Sequence, residues 1–339
     1  MEVSVFTLLM DGREDRVESL TVPHGEAIFG WVRKPHGWCR DDACIPAFRA
    51  AEVETPEGVD LAGFAGLLGR IAVVDPVERL IAVGEAQRLG PDEAPDFTLD
   101  GFSLREARGS KIALVFWASW CGCRYDLAAW DELHEELSPS GLTVVSVSLD
   151  RDPEDARPWI EGLEHPSLID AEGSVAELYN VVNVPTVVWI DEEGRIARPQ
   201  DTMTATDTFR EMNGLSSEDA KNALRRWVLD EESGLTPEVV REHLRIPTEE
   251  ERRARLHARL AAWLFRHGRT APAQGHAREA AELAPHDVAV RRSLMPLSGA
   301  DPFGDEYFRL RDELEARGVA IYRPLPDWSG GGAAAEVRA

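Results

Sequence analysis

Lysine is nearly missing from this chain. Of its 37 basic residues only Lys34, Lys111 and Lys221 are lysine, and 61 acidic residues leave a formal charge of −24. So little positive charge argues against general nucleic-acid or anionic-membrane binding, because phosphate contact needs basic surface. Apolar runs of about 18 residues, the length that spans a bilayer, are also missing. Between Met1 and Asp15 the acids Asp11, Glu14 and Asp15 stand in place of a basic segment and a long apolar one. No signal peptide is expected from that start, and the expected location is cytoplasmic. Cysteine is scarce, with four in 339 residues. In a reducing cytosol so few cysteines serve as thiols, ligands or redox groups rather than as permanent staples.

What is present supports a folded chain. Apolar residues make up 43% and ten are tryptophan, enough to exclude global disorder. At about 150 residues per domain, two or three domains are expected.

Three regions differ in pattern. Residues 1–89 read as a small α/β domain. Val3, Val5 and Thr7 alternate as in a strand, Val59 to Leu68 reads as a short helix, and Ile71–Val74 with Leu80–Val83 forms a hairpin around Asp75-Pro76. Gly90 to Pro95 is a short linker. Residues 94–205 alternate strand and helix, which implies an α/β layer fold. Ile112 to Ala118 and Leu142 to Leu149 are apolar runs suited to strands buried on both faces. Between them Leu127, Trp130, Leu133 and Leu137 fall at helical spacing. Residues 215–325 carry helical patterns only, and 329–339 is a low-complexity tail expected to be disordered.

The chemistry concentrates at Trp117-Ala118-Ser119-Trp120-Cys121-Gly122-Cys123-Arg124, after a buried strand and at the start of a helix. A thiolate at Cys121 would sit at the positive end of the helix dipole, among N–H groups without partners. Such placement lowers a thiol pKa and makes the sulfur a nucleophile. Arg124 would add positive charge. A second thiol at Cys123 can attack a mixed disulfide and release the substrate.

Residues 94–200 resemble the thioredoxin-fold TlpA/ResA-like (redoxin) thiol-disulfide oxidoreductases. The likeness rests on Ala94-Pro95-Asp96-Phe97, on Phe116-Trp117-Ala118-Ser119-Trp120-Cys121, on Val184-Pro185-Thr186, and on Trp189-Ile190-Asp191. It implies a central thioredoxin-like fold and a cis Pro185 facing the thiols. It also implies a site made of Trp120, Cys121, Cys123 and Pro185, with Asp126 matching the family's acid near the thiols as a proton acceptor. The family motif is Cys-x-x-Cys, whereas here it is Cys121-Gly122-Cys123, similar to the U-G-C motif of related selenoproteins. The smaller ring implies a strained and more oxidising disulfide.

The other cysteines stand in His36-Gly37-Trp38-Cys39-Arg40-Asp41-Asp42-Ala43-Cys44. Three readings stay open for them: small residues in a packed loop, a second redox pair exchanging with Cys121–Cys123, or soft-metal ligands together with His36. Leu260-Ala261, Leu264, Gly268, Ala273, Ala280 and Pro285 resemble one tetratricopeptide-type helix pair. A single repeat cannot bury its face alone, so it either clamps onto a neighbour or binds a partner protein.

The expected function is thiol-disulfide exchange with Cys121 as nucleophile, on a protein or small-molecule disulfide, with an unspecified reductant and no cofactor. A thiol peroxidase and a non-catalytic soft-metal or adaptor protein are the alternatives. Neither nucleic acid nor membrane is an expected partner.

Overall fold

The computed structural model describes residues 5–86, 92–320, 322, 324 and 325. The expected tail over 329–339 and part of the Gly90 to Pro95 linker lie outside the described residues. The chain forms two compact units, each discontinuous or spliced in sequence. One comprises Met1–Arg88 with Thr248–Ala284, the other Leu89–Pro247 with Pro285–Ala339.

The second unit is built on a five-stranded sheet. Its strand order is Ser167–Ile169, Leu142–Ser148, Lys111–Trp117, Thr186–Ile190, Ile196–Asp201. The first three strands run parallel; Thr186–Ile190 is antiparallel to the central strand and Ile196–Asp201 antiparallel to it in turn. Every residue of Lys111–Trp117 is buried, as its apolar run requires of a strand covered on both faces. One face packs with Phe97, Leu127, Val175 and Tyr179. The other packs with Trp130, Leu133 and the helix Ser217–Asp230, where Trp227 stacks on Trp189 at 4.8 Å between centroids. The helix Leu127–Leu137 buries Leu127, Trp130, Leu133 and Leu137, the face its spacing specifies. A parallel core of strands with helices on both faces, closed by an antiparallel hairpin, is the thioredoxin-like arrangement.

The segment after Pro285 returns to this core. Asp287 caps the helix Val288–Ser293 by accepting the Val290 N–H at 2.9 Å. The Ala289 N–H donates to the Val182 carbonyl at 2.9 Å, which docks this helix beside the loop leading to Pro185. The helix Asp305–Ala316 then packs Leu310 and Leu314 on Val288 and Met295.

The first unit holds a four-stranded sheet, in order Arg13–Val17, Phe6–Met10, Leu80–Val83, Ala72–Asp75. The hairpin around Asp75-Pro76 forms as expected, with Leu80 opposite Asp75. The expected helix narrows to Leu61–Leu67 and is capped by Asp60, which accepts the Gly63 N–H at 2.6 Å.

The helical region expected over 215–325 does not stand as one body. The pair Glu249–Arg266 and Thr270–Leu283 belongs with the first unit, because Leu256, Leu260, Leu264 and Ala273 bury against Leu9, Val73, Leu80 and Ala82 of its sheet. Arg252 and Arg259 donate to carbonyls at Gly69, Val83 and Glu85, tying the first of these helices to the sheet end. Among the described residues no helix is long and apolar enough to cross a membrane.

Candidate active site

The central strand ends at Trp117, and the chain turns through Ala118-Ser119-Trp120 before a helical run begins. Asp150 fixes this turn. Its carboxylate accepts from the Ser119 N–H at 2.9 Å and from the Ser119 hydroxyl at 2.6 Å. Cys121 is the N-cap residue of the 3-10 turn Gly122–Asp126, which continues into the helix Leu127–Leu137. Its sulfur accepts the Cys123 N–H at 3.3 Å, one of the unpaired donors of a helix start. Its own S–H points to the Val184 carbonyl at 3.5 Å. The Val184–Pro185 bond is cis, and Pro185 lines the same cavity as both thiols.

Both thiols are free and only 6% exposed. Their acidities are driven apart. A hydrogen bond from the Cys123 side chain lowers the pKa of Cys121, and the Arg292 guanidinium and the Cys123 N–H add to it, against the cost of burial. Burial pushes the Cys123 thiol well up, and the neighbouring Cys121 pushes it further. The two sulfurs are thus biased in opposite directions, Cys121 towards the thiolate and Cys123 towards the thiol.

The cation beside Cys121 is Arg292, not Arg124. The Arg124 guanidinium lies over the rings of Tyr125, Trp159 and Phe303 at 4.8, 4.7 and 4.9 Å from their centroids, and donates to the Ser119 carbonyl. Three aromatic faces and a carbonyl engage it. Arg292, from the helix Val288–Ser293, lies 3.9 Å from the Tyr307 centroid and 5.0 Å from that of Trp120, and donates to the carbonyls of Trp120 and Pro302. Replacing Arg292 by Gln should raise the Cys121 pKa and slow its alkylation near neutral pH, by up to roughly tenfold for each unit gained, less the gain in nucleophilicity of the more basic thiolate. Arg292→Lys should restore much of the rate. A pH–rate profile of alkylation checks this, and unchanged profiles would remove Arg292 from the site.

Asp126 sits in the first helical turn and is buried. Its carboxylate accepts from the Thr206 N–H at 3.1 Å and from the Thr206 hydroxyl. Burial raises its pKa to about 6, more than these bonds lower it. The folded protein therefore favours the protonated acid relative to the unfolded chain. That contribution is complete below pH ~4 and is lost as pH rises through about 6. Asp126→Asn should consequently stabilise the protein at pH 8 relative to pH 4, by roughly 2–3 kcal/mol in the difference. Urea unfolding at the two pH values measures it, and an equal effect at both would contradict the burial argument.

A cavity of about 140 Å³ opens on the thiols. Its walls include Phe209, Phe303, Tyr307 and Tyr322 besides Pro185 and Arg292. The Phe209 ring lies over Gly122 so closely that a Cβ there would come within 2.3 Å of it. Glycine between the cysteines is what lets that ring close the site. The Thr204 hydroxyl lines the same cavity and is buried with no partner among the described residues.

A dithiol at a helix start, set against a cis-proline loop beside the inner strands of this sheet, places the second unit in the thioredoxin-fold class. Residues 91–198 match the AhpC/TSA family. The chain is 37% identical over 131 residues to the thioredoxin-like protein YneN of Bacillus subtilis, a stretch covering 35% of this chain and 74% of that one. It is 29% identical over 131 residues to the thiol-disulfide oxidoreductase ResA of Geobacillus kaustophilus, covering 36% and 75%. A solved exposed lipoprotein thioredoxin from Streptococcus pneumoniae is 34% identical, covering 30% of this chain and 85% of that one, with a TM-score of 0.27. Through this region the chain belongs to the thioredoxin-like AhpC/TSA family.

Of the residues expected at the site, Cys121, Cys123, Asp126 and Pro185 line one cavity. Trp120 is buried beneath Arg292 and supports it. Sequence reasoning missed Arg292, Phe209, Tyr307 and Tyr322. Cys39 and Cys44 lie in the other unit and are joined by a disulfide.

Proposed function

We propose that this protein is a thiol-disulfide oxidoreductase in which Cys121 attacks and Cys123 resolves. The observation that carries the reading is a pair of free thiols at one helix start, with the Cys121 sulfur accepting the Cys123 N–H at 3.3 Å and lying 3.5 Å from the Val184 carbonyl of the cis-proline loop. The Cys121 thiolate attacks one sulfur of a substrate disulfide, forms a mixed disulfide and releases the other half as a thiolate. Cys123 then loses its proton, with Asp126 as the nearby acceptor, and attacks the Cys121 sulfur. The second half leaves as a thiolate, and the Cys121–Cys123 disulfide is returned to the dithiol by an external dithiol reductant.

The enclosure supports a narrow substrate. Both sulfurs are buried under Phe209 and the walls from the segment after Pro285, which leaves about 140 Å³ whose lining includes five aromatic rings. A low-molecular-weight disulfide with short substituents suits that space better than a folded protein surface. With dithiothreitol as reductant, hydroxyethyl disulfide should turn over faster than insulin. A preference for insulin would overturn the substrate class, and no turnover of either would overturn the exchange reaction.

A further inference from the structure

The second cysteine pair sits in a three-stranded antiparallel sheet made of Val32–Lys34, Gly37–Arg40 and Ala43–Pro46. Cys39 and Cys44 are directly opposite in register, with Cα atoms 4.1 Å apart, and form a disulfide. Neighbouring antiparallel residues project to one face of the sheet, so both sulfurs emerge on the same side. His36, in the turn between the first two strands, points its imidazole at them. Its Nε2 lies 3.3 Å from the Cys39 sulfur and 3.7 Å from the Cys44 sulfur.

This turn is held in place. The His36 carbonyl accepts the Ala47 N–H at 3.0 Å. Gly37 has φ of 149°, and a Cβ there would come 1.9 Å from the Ile45 carbonyl oxygen. Only glycine allows the turn to lie so close to the strand that carries Cys44.

We propose that the reduced Cys39–Cys44 pair with His36 forms a zinc(II) site, and that the disulfide is its oxidised, metal-free state. Zinc takes thiolate sulfur at about 2.3 Å and imidazole nitrogen at about 2.0–2.1 Å in tetrahedral geometry. Those lengths require nitrogen-to-sulfur separations of about 3.6 Å and a sulfur-to-sulfur separation of about 3.8 Å. The observed nitrogen-to-sulfur distances, 3.3 and 3.7 Å, bracket the first requirement. The second needs rotation about the cysteine χ1 angles after reduction, with the backbone ladder unchanged. The three ligand atoms lie within 4.8 Å of one another. His36 and Cys44 are exposed while Cys39 is buried, so the ion enters from solvent and water completes its shell.

The chemistry balances as follows. A dithiol reductant gives two electrons and two protons to the Cys39–Cys44 bond and becomes a disulfide, leaving two thiols. Zinc then displaces both thiol protons, and the neutral His36 imidazole donates its Nε2 lone pair. A two-electron oxidant such as hydrogen peroxide, itself reduced to water by taking up two protons, would convert the bound thiolates to the disulfide and release the ion. Copper(I), which two thiolates satisfy without nitrogen, is the competing soft cation.

The test uses the full chain carrying Cys121→Ser and Cys123→Ser, so that the other dithiol cannot hold metal. After reduction and anaerobic removal of reductant, zinc is titrated against a chromophoric chelator. One zinc per chain is expected in the reduced protein and none in the oxidised protein. His36→Ala should weaken binding at least by the roughly 10–100-fold that loss of a mere outer-shell partner costs. Cobalt(II) in the reduced protein should show the visible bands of a tetrahedral sulfur-ligated ion. A far-ultraviolet circular dichroism spectrum of the His36→Ala protein unchanged from that of its parent shows that its sheet still forms. Zinc lost on desalting, zinc held equally by the His36→Ala protein, or retention of copper(I) alone would each overturn the assignment.

Discussion

Equilibration with glutathione buffers should give the Cys121–Cys123 couple a potential well above the roughly −270 mV of a reducing thioredoxin. Two independent features push it there. The loop closed by Cys121-Gly122-Cys123 is one residue shorter than that of a Cys-x-x-Cys motif, so its disulfide cannot reach relaxed geometry without backbone cost. The reduced state is stabilised separately. The Cys123 side chain, the Cys123 N–H and Arg292 all favour the Cys121 thiolate, and a stabilised thiolate makes a disulfide a stronger oxidant. About 30 mV corresponds to about 1.4 kcal/mol for this two-electron couple. A potential near about −270 mV would mean that the fold relieves the short ring and that the thiolate gains little.

The second large effect separates the two sulfurs. Cys121→Ser should reduce exchange to the uncatalysed background, because a serine hydroxyl stays protonated near neutral pH and cannot replace a thiolate. Cys123→Ser should behave differently. Attack remains, but internal resolution fails, so without added reductant a stoichiometric mixed disulfide accumulates after one event. The two variants would then differ in mass by the bound half-substrate. The hydroxyl of Cys123→Ser still offers Cys121 a hydrogen bond in place of the native thiol, so the first step should stay close to its native rate.

Much of the second unit's core is legible in the sequence. Ile112 to Ala118 and Leu142 to Leu149 are apolar along their length because strands covered on both faces have no polar side. Leu127, Trp130, Leu133 and Leu137 mark the helix that begins just after the thiols. Pro185 was found through resemblance rather than from spacing.

The residues that enclose the site were not legible. Arg292 lies 172 positions from Trp120, whose carbonyl it reaches, and stands in a six-residue helix too short to show periodicity. Nothing local distinguishes it from the many other arginines of the chain. Arg124 was the natural choice for the cation because it is adjacent in sequence. Its aromatic partners Trp159 and Phe303 come from distant segments, and they turn it aside. The same limit explains the unit boundaries. The helices Glu249–Arg266 and Thr270–Leu283 complete a core whose sheet lies near the start of the chain, and blocks of pattern along a sequence do not reveal such returns. The strands Val32–Lys34, Gly37–Arg40 and Ala43–Pro46 have three or four residues each, fewer than an alternating pattern needs.

The most direct test of the account is the site of the trapped intermediate. Cys123→Ser protein is mixed with hydroxyethyl disulfide at neutral pH, quenched with acid, digested and read by mass spectrometry. The account predicts one mercaptoethanol adduct per chain, carried by the peptide containing Cys121. An adduct confined to Cys39 or Cys44, or no adduct at all, would contradict it.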